Sequence, residues 1–224
     1  MKNSHFIRTL VFTAITLLSF IYFSCDDSGV GPPKKLPYAI TGKISGWIQG
    51  DRRIVAEAYS STGGPYALTS CTVDTGCNFV MVPPLLDEST LFPTDSIFDP
   101  LCNGGNINIM PPNIRGSIIS SFKVYEGSQE VGYIDRNNYN TGDSIKTGDF
   151  DVIYFYVDQE SSAGGYKLCM GDSIIFWCND KLGWNAVSRI NQRIEPGSKT
   201  IMFKTAVEPT AVWKYHSITG EQVK

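Results

Sequence analysis

Residues 152–157 read Val-Ile-Tyr-Phe-Tyr-Val, an apolar run in which every side chain is β-branched or aromatic. Residues of these types favour strands. Because successive side chains of a strand point to opposite faces of its sheet, both faces of this strand must be covered. The run therefore predicts a central strand in a β-rich domain.

Short strands and turns are predicted on both sides of this run. After it, residues 166–169 and 173–178 flank Met170-Gly171-Asp172 as a hairpin, and before it residues 118–125 and 131–134 flank Gly127-Ser128. Further alternating or apolar segments are 40–48, 53–59, 66–73, 77–82, 182–187, 199–205 and 212–215. This spacing predicts an all-β fold, either one β-sandwich or two packed sub-domains, in residues 38–84 and 117–224.

Residues 85–116 separate those two parts and are rich in proline, with Gly104-Gly105 near their middle. We predict a long loop with one short strand around Ile107 to Met110. Loops of this length are uncommon inside compact domains, which favours a division into sub-domains at this point.

The first part contains the pattern Ile40-x-Gly42-x-Ile44, and later a turn, Asp74-x-Gly76, that leads into an aromatic strand at Phe79. Over about residues 39–84 this resembles the carboxypeptidase-regulatory-like, or transthyretin-like, β-sandwich domain. The resemblance implies a structural or binding module, since the family domain carries no active site. The chain departs from the family in its cysteines on both sides of the turn and in the Pro-rich segment that follows.

The N-terminus has the order of an export signal. Lys2 and Arg8 precede an uncharged apolar run from Leu10 to Phe23, and residues 1–24 are predicted to be a signal peptide with a helical apolar region. The run is short for a membrane span, which needs roughly 20 residues. An uncleaved anchor helix and plain secretion after cleavage remain alternatives.

Ser24-Cys25 followed by Asp26-Asp27-Ser28-Gly29 resembles the bacterial lipoprotein pattern, although Tyr22 and Phe23 depart from the residues that the family prefers. The resemblance implies that Cys25 becomes the lipidated first residue and holds the protein to a membrane of the cell envelope. Residues 25–37 read as a Pro/Gly linker with a reach of up to roughly 40 Å.

Charge excludes one class of partner. The net charge is −3, and without Lys2 and Arg8 the mature chain has 17 basic against 22 acidic residues, a net charge of −5. Nucleic-acid binding requires a basic face, so no nucleic-acid partner is expected.

Apart from Cys25, the predicted exported chain has five cysteines, and disulfides are permitted there. Cys71 and Cys77 flank the 74–76 turn and are the first candidate pair, and Cys169 and Cys178 flank the later hairpin and are the second. Buried free thiols are the alternative for each pair. The cysteines form no C-x2–4-C unit, and we predict no zinc site or cofactor.

No catalytic motif is present, and no enzyme is predicted. His216 is the single histidine of the mature chain and is predicted to be exposed near a frayed end. Asp149 and Asp151 are interpreted as solvated residues where a strand begins. Residues 135–143 look like a calcium loop, but their oxygens do not have EF-hand spacing, which favours an Asn/Gly-rich turn and no metal.

Aromatic side chains give two alternatives. Those that could stack on sugar rings, or fill a core, are Trp47, Trp177, Trp184, Trp213, Tyr154 and Tyr156.

The function predicted from the sequence is a membrane-anchored envelope lipoprotein that acts as a non-enzymatic structural or binding module. The alternative is a surface component that binds a glycan or a protein, like an adhesin. A glycan hydrolase that uses two carboxylates comes third.

Overall fold

The structure, a computed structural model, describes residues 38–59, 64–94, 102–140 and 142–218. The predicted signal peptide and its helix, the lipidation site Cys25 and the linker to residue 37 lie outside the described residues. No helix among the described residues is long and apolar enough to cross a membrane.

The chain folds into 14 strands, which confirms the predicted all-β class. They are β1 (Ile40–Ser45), β2 (Arg52–Tyr59), β3 (Pro65–Thr72), β4 (Asn78–Met81), β5 (Phe92–Pro93), β6 (Cys102–Met110), β7 (Arg115–Glu126), β8 (Gln129–Asn137), β9 (Phe150–Val157), β10 (Ser161–Cys169), β11 (Asp172–Asp180), β12 (Gly183–Glu195), β13 (Ser198–Lys204) and β14 (Val212–Ser217). A short 3-10 helix spans Glu88–Thr90.

All 14 strands belong to one hydrogen-bonded network. Its main path runs β4-β1-β14-β8-β7-β9-β12-β13-β11-β10-β6, with β2 and β5 also on β7 and β3 beyond β2. The pairs β1–β14 and β11–β13 are parallel, and the others are antiparallel. Strands from the two predicted parts interleave, since β1 pairs with β14 and β2 pairs with β7.

Strand β9, which contains the run 152–157, is central as predicted, between β7 and β12. Its two faces meet different surroundings. Val152, Tyr154 and Tyr156 are buried in the main core, whereas the alternate residues Ile153 and Phe155 line a pocket on the other side. Each face of β9 thus meets an apolar environment, which explains why the run 152–157 has no charged residue.

The main core is centred on Trp213 of β14, which is 2% exposed. Its ring meets Phe79 and Phe122 edge-to-face, with centroids 5.1 and 5.3 Å away, and stacks parallel to Tyr154 at 6.0 Å. Full burial of such a side chain contributes about 2–3 kcal/mol. This aromatic cluster joins strands from the beginning, the middle and the end of the described chain.

Both predicted hairpins form. Glu126 pairs with Gln129 around Gly127, and Cys169 pairs with Asp172 around Met170 and Gly171. Gly127, Met170 and Gly171 have positive φ values of 61°, 52° and 93°. Two-residue hairpin loops that match the twist of their strands require this conformation, and glycine adopts it without strain.

The predicted 85–116 loop contains more strand than expected. Strand β6 is nine residues long, not the short strand expected around Ile107 to Met110, and it pairs along β10. Gly104 and Gly105 lowered the strand signal of this segment. They are tolerated because β6 is the end strand of the path, and Gly105 has a φ of 82° beside an irregularity in the β6–β10 register.

Candidate functional site

The end of the sheet from β9 to β6 curls around a cavity. Six strands, β9-β12-β13-β11-β10-β6, would place β9 and β6 about 24 Å apart if the sheet were flat, at about 4.8 Å per strand. Side chains of both strands nevertheless line one cavity of about 280 Å³. The sheet must therefore bend so that its concave face encloses this pocket.

The pocket lining is mostly aliphatic and aromatic. Ile107 and Ile109 come from β6, Ile153 and Phe155 from β9, and Phe176 and Phe203 from β11 and β13. The rings of Phe176 and Phe203 stack in parallel, 5.3 Å apart. The alternation of strand side chains produces this lining, because neighbours such as Trp177 point to the outer face.

The volume sets the size of a suitable ligand. A cavity of about 150 Å³ lined by Leu, Ile and Phe binds benzene, and pockets for larger ligands begin near 300 Å³. At about 280 Å³ this pocket suits an apolar body of roughly ten non-hydrogen atoms.

Asp180 is the one buried charged residue of the described lining. It is 7% exposed, and its Oδ1 accepts a hydrogen bond from Thr205 Oγ1 at 2.6 Å. Burial raises the pKa of Asp180, while the Thr205 hydrogen bond opposes that shift. A carboxyl group thus lies in a mostly apolar pocket, where burial disfavours its charged form unless a cation pairs with it.

Arg189 is the other charged lining residue, and its guanidinium already has a partner. Nε donates to Asp151 Oδ1 at 2.8 Å, and the arginine side chain is 48% exposed. Burial raises the pKa of Asp151, and Arg189 opposes that shift. The charge of Arg189, on the solvent side of the pocket, is therefore compensated by Asp151.

Cys178 also lines the pocket, as a thiol that donates to the carbonyl oxygen of Phe203 at 3.6 Å. Burial raises the pKa of Cys178 to about 11. At neutral pH it is therefore protonated, and it is suited to packing and not to nucleophilic chemistry.

Both predicted disulfides are wrong in this structure. Cys169 is bonded to Cys102, and the thiols of Cys71, Cys77 and Cys178 are free. Strand register explains the pairing: Cys169 lies opposite Cys102 across β10 and β6, whereas Cys178 lies opposite Ala163. The hairpin of β10 and β11 was predicted correctly from the sequence, but nothing in the sequence indicated that β6 pairs with the other edge of β10.

The outer face of the same strands carries exposed aromatic side chains. Trp177 is 67% exposed and Tyr166 is 51% exposed, on adjacent strands, and both line a shallow groove. Gly164 lies opposite Trp177 and leaves open space beside the indole. The other aromatic residues considered for sugar binding are buried in the core: Trp47, Trp184, Trp213, Tyr154 and Tyr156.

The prediction of an exposed His216 is wrong. Its side chain is 12% exposed on β14, its Nε2 lies 2.9 Å from Asp135 Oδ1, and its ring stacks on Tyr133. Pairing of β14 with β8 brings these side chains together. His216 is thus held in the sheet and is not part of a frayed end.

The other candidate oxygen ligands are used within the fold. Asp149 Oδ2 accepts from the Lys146 amide at 2.6 Å, whereas Asp151 pairs with Arg189. In the calcium-like segment 135–143, Asn138 Oδ1 accepts from the Phe150 amide at 2.8 Å. Among the described residues, no group of three or more His, Cys, Asp or Glu side chains is arranged to hold a metal ion.

Comparison with known proteins finds no matching family model, no similar curated protein and no similar solved structure.

Proposed function

We propose that this protein is a lipoprotein of the cell envelope, anchored through Cys25, and that its domain is a non-enzymatic binding module for a small apolar ligand. The observation that carries the binding function is the 280 Å³ pocket enclosed by the curled sheet. Concave, mostly apolar pockets with a few polar groups are the usual form of small-molecule sites.

The disulfide supports an exported location. Cys102 and Cys169 are bonded across two paired strands, and such bonds persist in oxidising compartments and are rare in the reducing cytoplasm. This agrees with the N-terminal signal and with a tether, residues 25–37, that would hold the domain away from the membrane.

The chemistry of the lining supports binding over hydrolysis. Hydrolysis of a glycan commonly uses two facing carboxylates. Asp180 is the only carboxylate among the described residues that line the pocket, and the Cys178 thiol beside it is protonated. The pocket offers mostly apolar contact and a single carboxyl group, which suits retention of a ligand.

The test uses butylbenzene, an apolar probe of matching size, and the full chain in lipid nanodiscs, with empty nanodiscs as the blank. Ala163 lines the pocket on β10, and its neighbour Ser162 faces the opposite side and is exposed. We expect A163F to fill the pocket and to weaken binding at least about tenfold, whereas S162F binds like the natural protein.

Equal affinities of A163F and S162F would contradict the proposal, as would failure of the natural protein to bind the probe. If A163F does not fold, S161F places the same ring in the pocket from Ser161, another small lining side chain of β10.

A second candidate function, binding of a surface glycan, is favoured by the exposed pair Trp177 and Tyr166. Aromatic faces of this kind can stack on the apolar face of a sugar ring. W177A should abolish binding to any glycan that an array identifies, whereas Y59A, which removes an aromatic residue that is 48% exposed elsewhere, should not. Equal binding by the two variants would exclude this site.

A further inference from the structure

Asp180 is a buried carboxyl group with most of its hydrogen-bonding capacity unused. It is 7% exposed, and the hydrogen bond from Thr205 is its one side-chain partner among the described residues. A carboxylate offers about four acceptor positions. Buried charges in proteins are normally paired, because an unpaired one has lost its hydration without compensation.

No cation of the described chain supplies this partner. Lys181, the next residue, directs its Nζ to Glu160 at 3.4 Å and is largely exposed. Arg189, the cation of the pocket lining, is bonded to Asp151. Asp180 therefore remains available to a positively charged group that enters the pocket.

We propose that the pocket selects an amphiphilic amine, whose apolar body lies against the isoleucine and phenylalanine side chains and whose ammonium group donates to Asp180. This inference rests on the proposed function and specifies its ligand class. The apolar body is limited to roughly ten non-hydrogen atoms by the pocket volume of about 280 Å³.

The charge distribution of the pocket disfavours a ligand that carries a carboxylate. A ligand carboxylate near Asp180 would place two like charges together in a site of low polarity, where their repulsion is strong. A carboxylate directed to Arg189 would have to compete with Asp151, which is already 2.8 Å from the guanidinium Nε.

The orientation of the ligand follows from strand register. Asp180 lies opposite Ser161, and Phe176 lies further along β11, beside Phe203 of β13. The ammonium end of the ligand should thus lie near Ser161 and its apolar end near the stacked phenylalanine rings.

The experiment compares three ligands with a common body, 3-phenylpropylamine, butylbenzene and 3-phenylpropanoate, on the full chain in nanodiscs of uncharged lipid. We expect the amine to bind at least about tenfold more tightly than butylbenzene, and the carboxylate to bind more weakly than butylbenzene. In D180N the preference for the amine should disappear, while the affinity for butylbenzene stays within about twofold.

If butylbenzene binds and the amine has no advantage, this inference fails and the proposed function stands. An amine preference that persists in D180N also overturns it. If none of the three ligands binds, both are wrong. Should D180N not fold, nuclear Overhauser effects in the natural protein decide: the methylene next to nitrogen must be near Ser161, and the reverse orientation contradicts the inference.

Discussion

The indole ring of Trp213 packs directly against the backbone of Gly42. A Cβ added to Gly42 would lie 2.5 Å from Trp213 Nε1 and would overlap Cδ1. The same Nε1 donates to the carbonyl oxygen of Thr41 at 3.3 Å. This contact gives a physical reason for the glycine in the pattern Ile40-x-Gly42-x-Ile44, since any side chain there would displace the ring at the centre of the core.

We therefore expect G42A to lower the free energy of unfolding by about 1–3 kcal/mol, the usual cost of forcing extra volume into a packed core. Urea unfolding followed by tryptophan fluorescence measures this change. The control is G164A, where an added Cβ meets nothing within 4 Å, and which should be neutral or stabilising by up to about 1 kcal/mol. Equal effects of the two substitutions would contradict the packing argument.

The disulfide provides a second prediction. Cys102 and Cys169 are 67 residues apart. A cross-link that closes a loop of that length restricts the unfolded chain and stabilises the folded protein by about 4 kcal/mol. C102A should lower the free energy of unfolding by about this amount. C71A removes a free thiol and no cross-link, so it should not cause this loss. Non-reducing peptide mapping should recover the 102–169 pair. Recovery of Cys169 bonded to Cys178 would contradict the register of β6.

The burial of Asp180 predicts how the free energy of unfolding depends on pH. Burial raises its pKa, so the folded protein keeps this proton to higher pH than the unfolded chain does. From the unfolded value, about 3.9, up to the folded pKa, the native state binds more protons, and stability falls as pH rises through that window. The neighbouring Cys178 stays protonated there, since its pKa is about 11.

D180N has no proton to lose, so it should gain stability relative to the natural protein as pH rises from about 4 through the folded pKa of Asp180. Urea unfolding at several pH values measures the difference. E160Q removes a carboxylate that is 68% exposed and controls for the loss of a negative charge. A D180N difference that does not change with pH, or that has the opposite sign, would count against burial of this carboxyl group in the folded protein.

Lipidation of Cys25 is tested in cells. Labelled fatty acid should be incorporated into the natural protein and not into C25A, and the variant should become soluble or keep its signal. Each buried methylene adds about 0.8 kcal/mol of membrane affinity, so several acyl chains give durable anchoring. An unlabelled natural protein with an unmodified mature N-terminus would refute the lipoprotein assignment, and an uncleaved Met1 would favour an anchor helix.

Local patterns in the sequence were sufficient for most of the strands and for the central position of β9, but not for the full length of β6. Alternation and turn residues are properties of neighbouring residues, and the hairpins around Gly127 and Gly171 follow from them. The run 152–157 also indicated that both faces of this strand are covered, and the main core and the pocket cover them.

The pocket and the disulfide could not be predicted in this way, because both depend on which distant strands are neighbours. Cys102 meets Cys169 because β6 returns to pair with β10 after the proline-rich segment. Asp180 is buried because the sheet curls, and curvature leaves no local signal. The one available sign was the alternation of Phe176, Cys178 and Asp180 with polar or exposed residues on β11.

The most direct test of the binding module is a butylbenzene titration of the full chain in nanodiscs, followed by NMR of labelled isoleucine methyl groups. Ile107, Ile109, Ile118 and Ile153 line the pocket, whereas Ile40 and Ile54 lie in the main core. We expect saturable shifts at the four pocket methyl groups and none at the two core methyl groups. Unchanged pocket methyl groups, or equal shifts in both sets, would contradict the assignment of this pocket as the binding site.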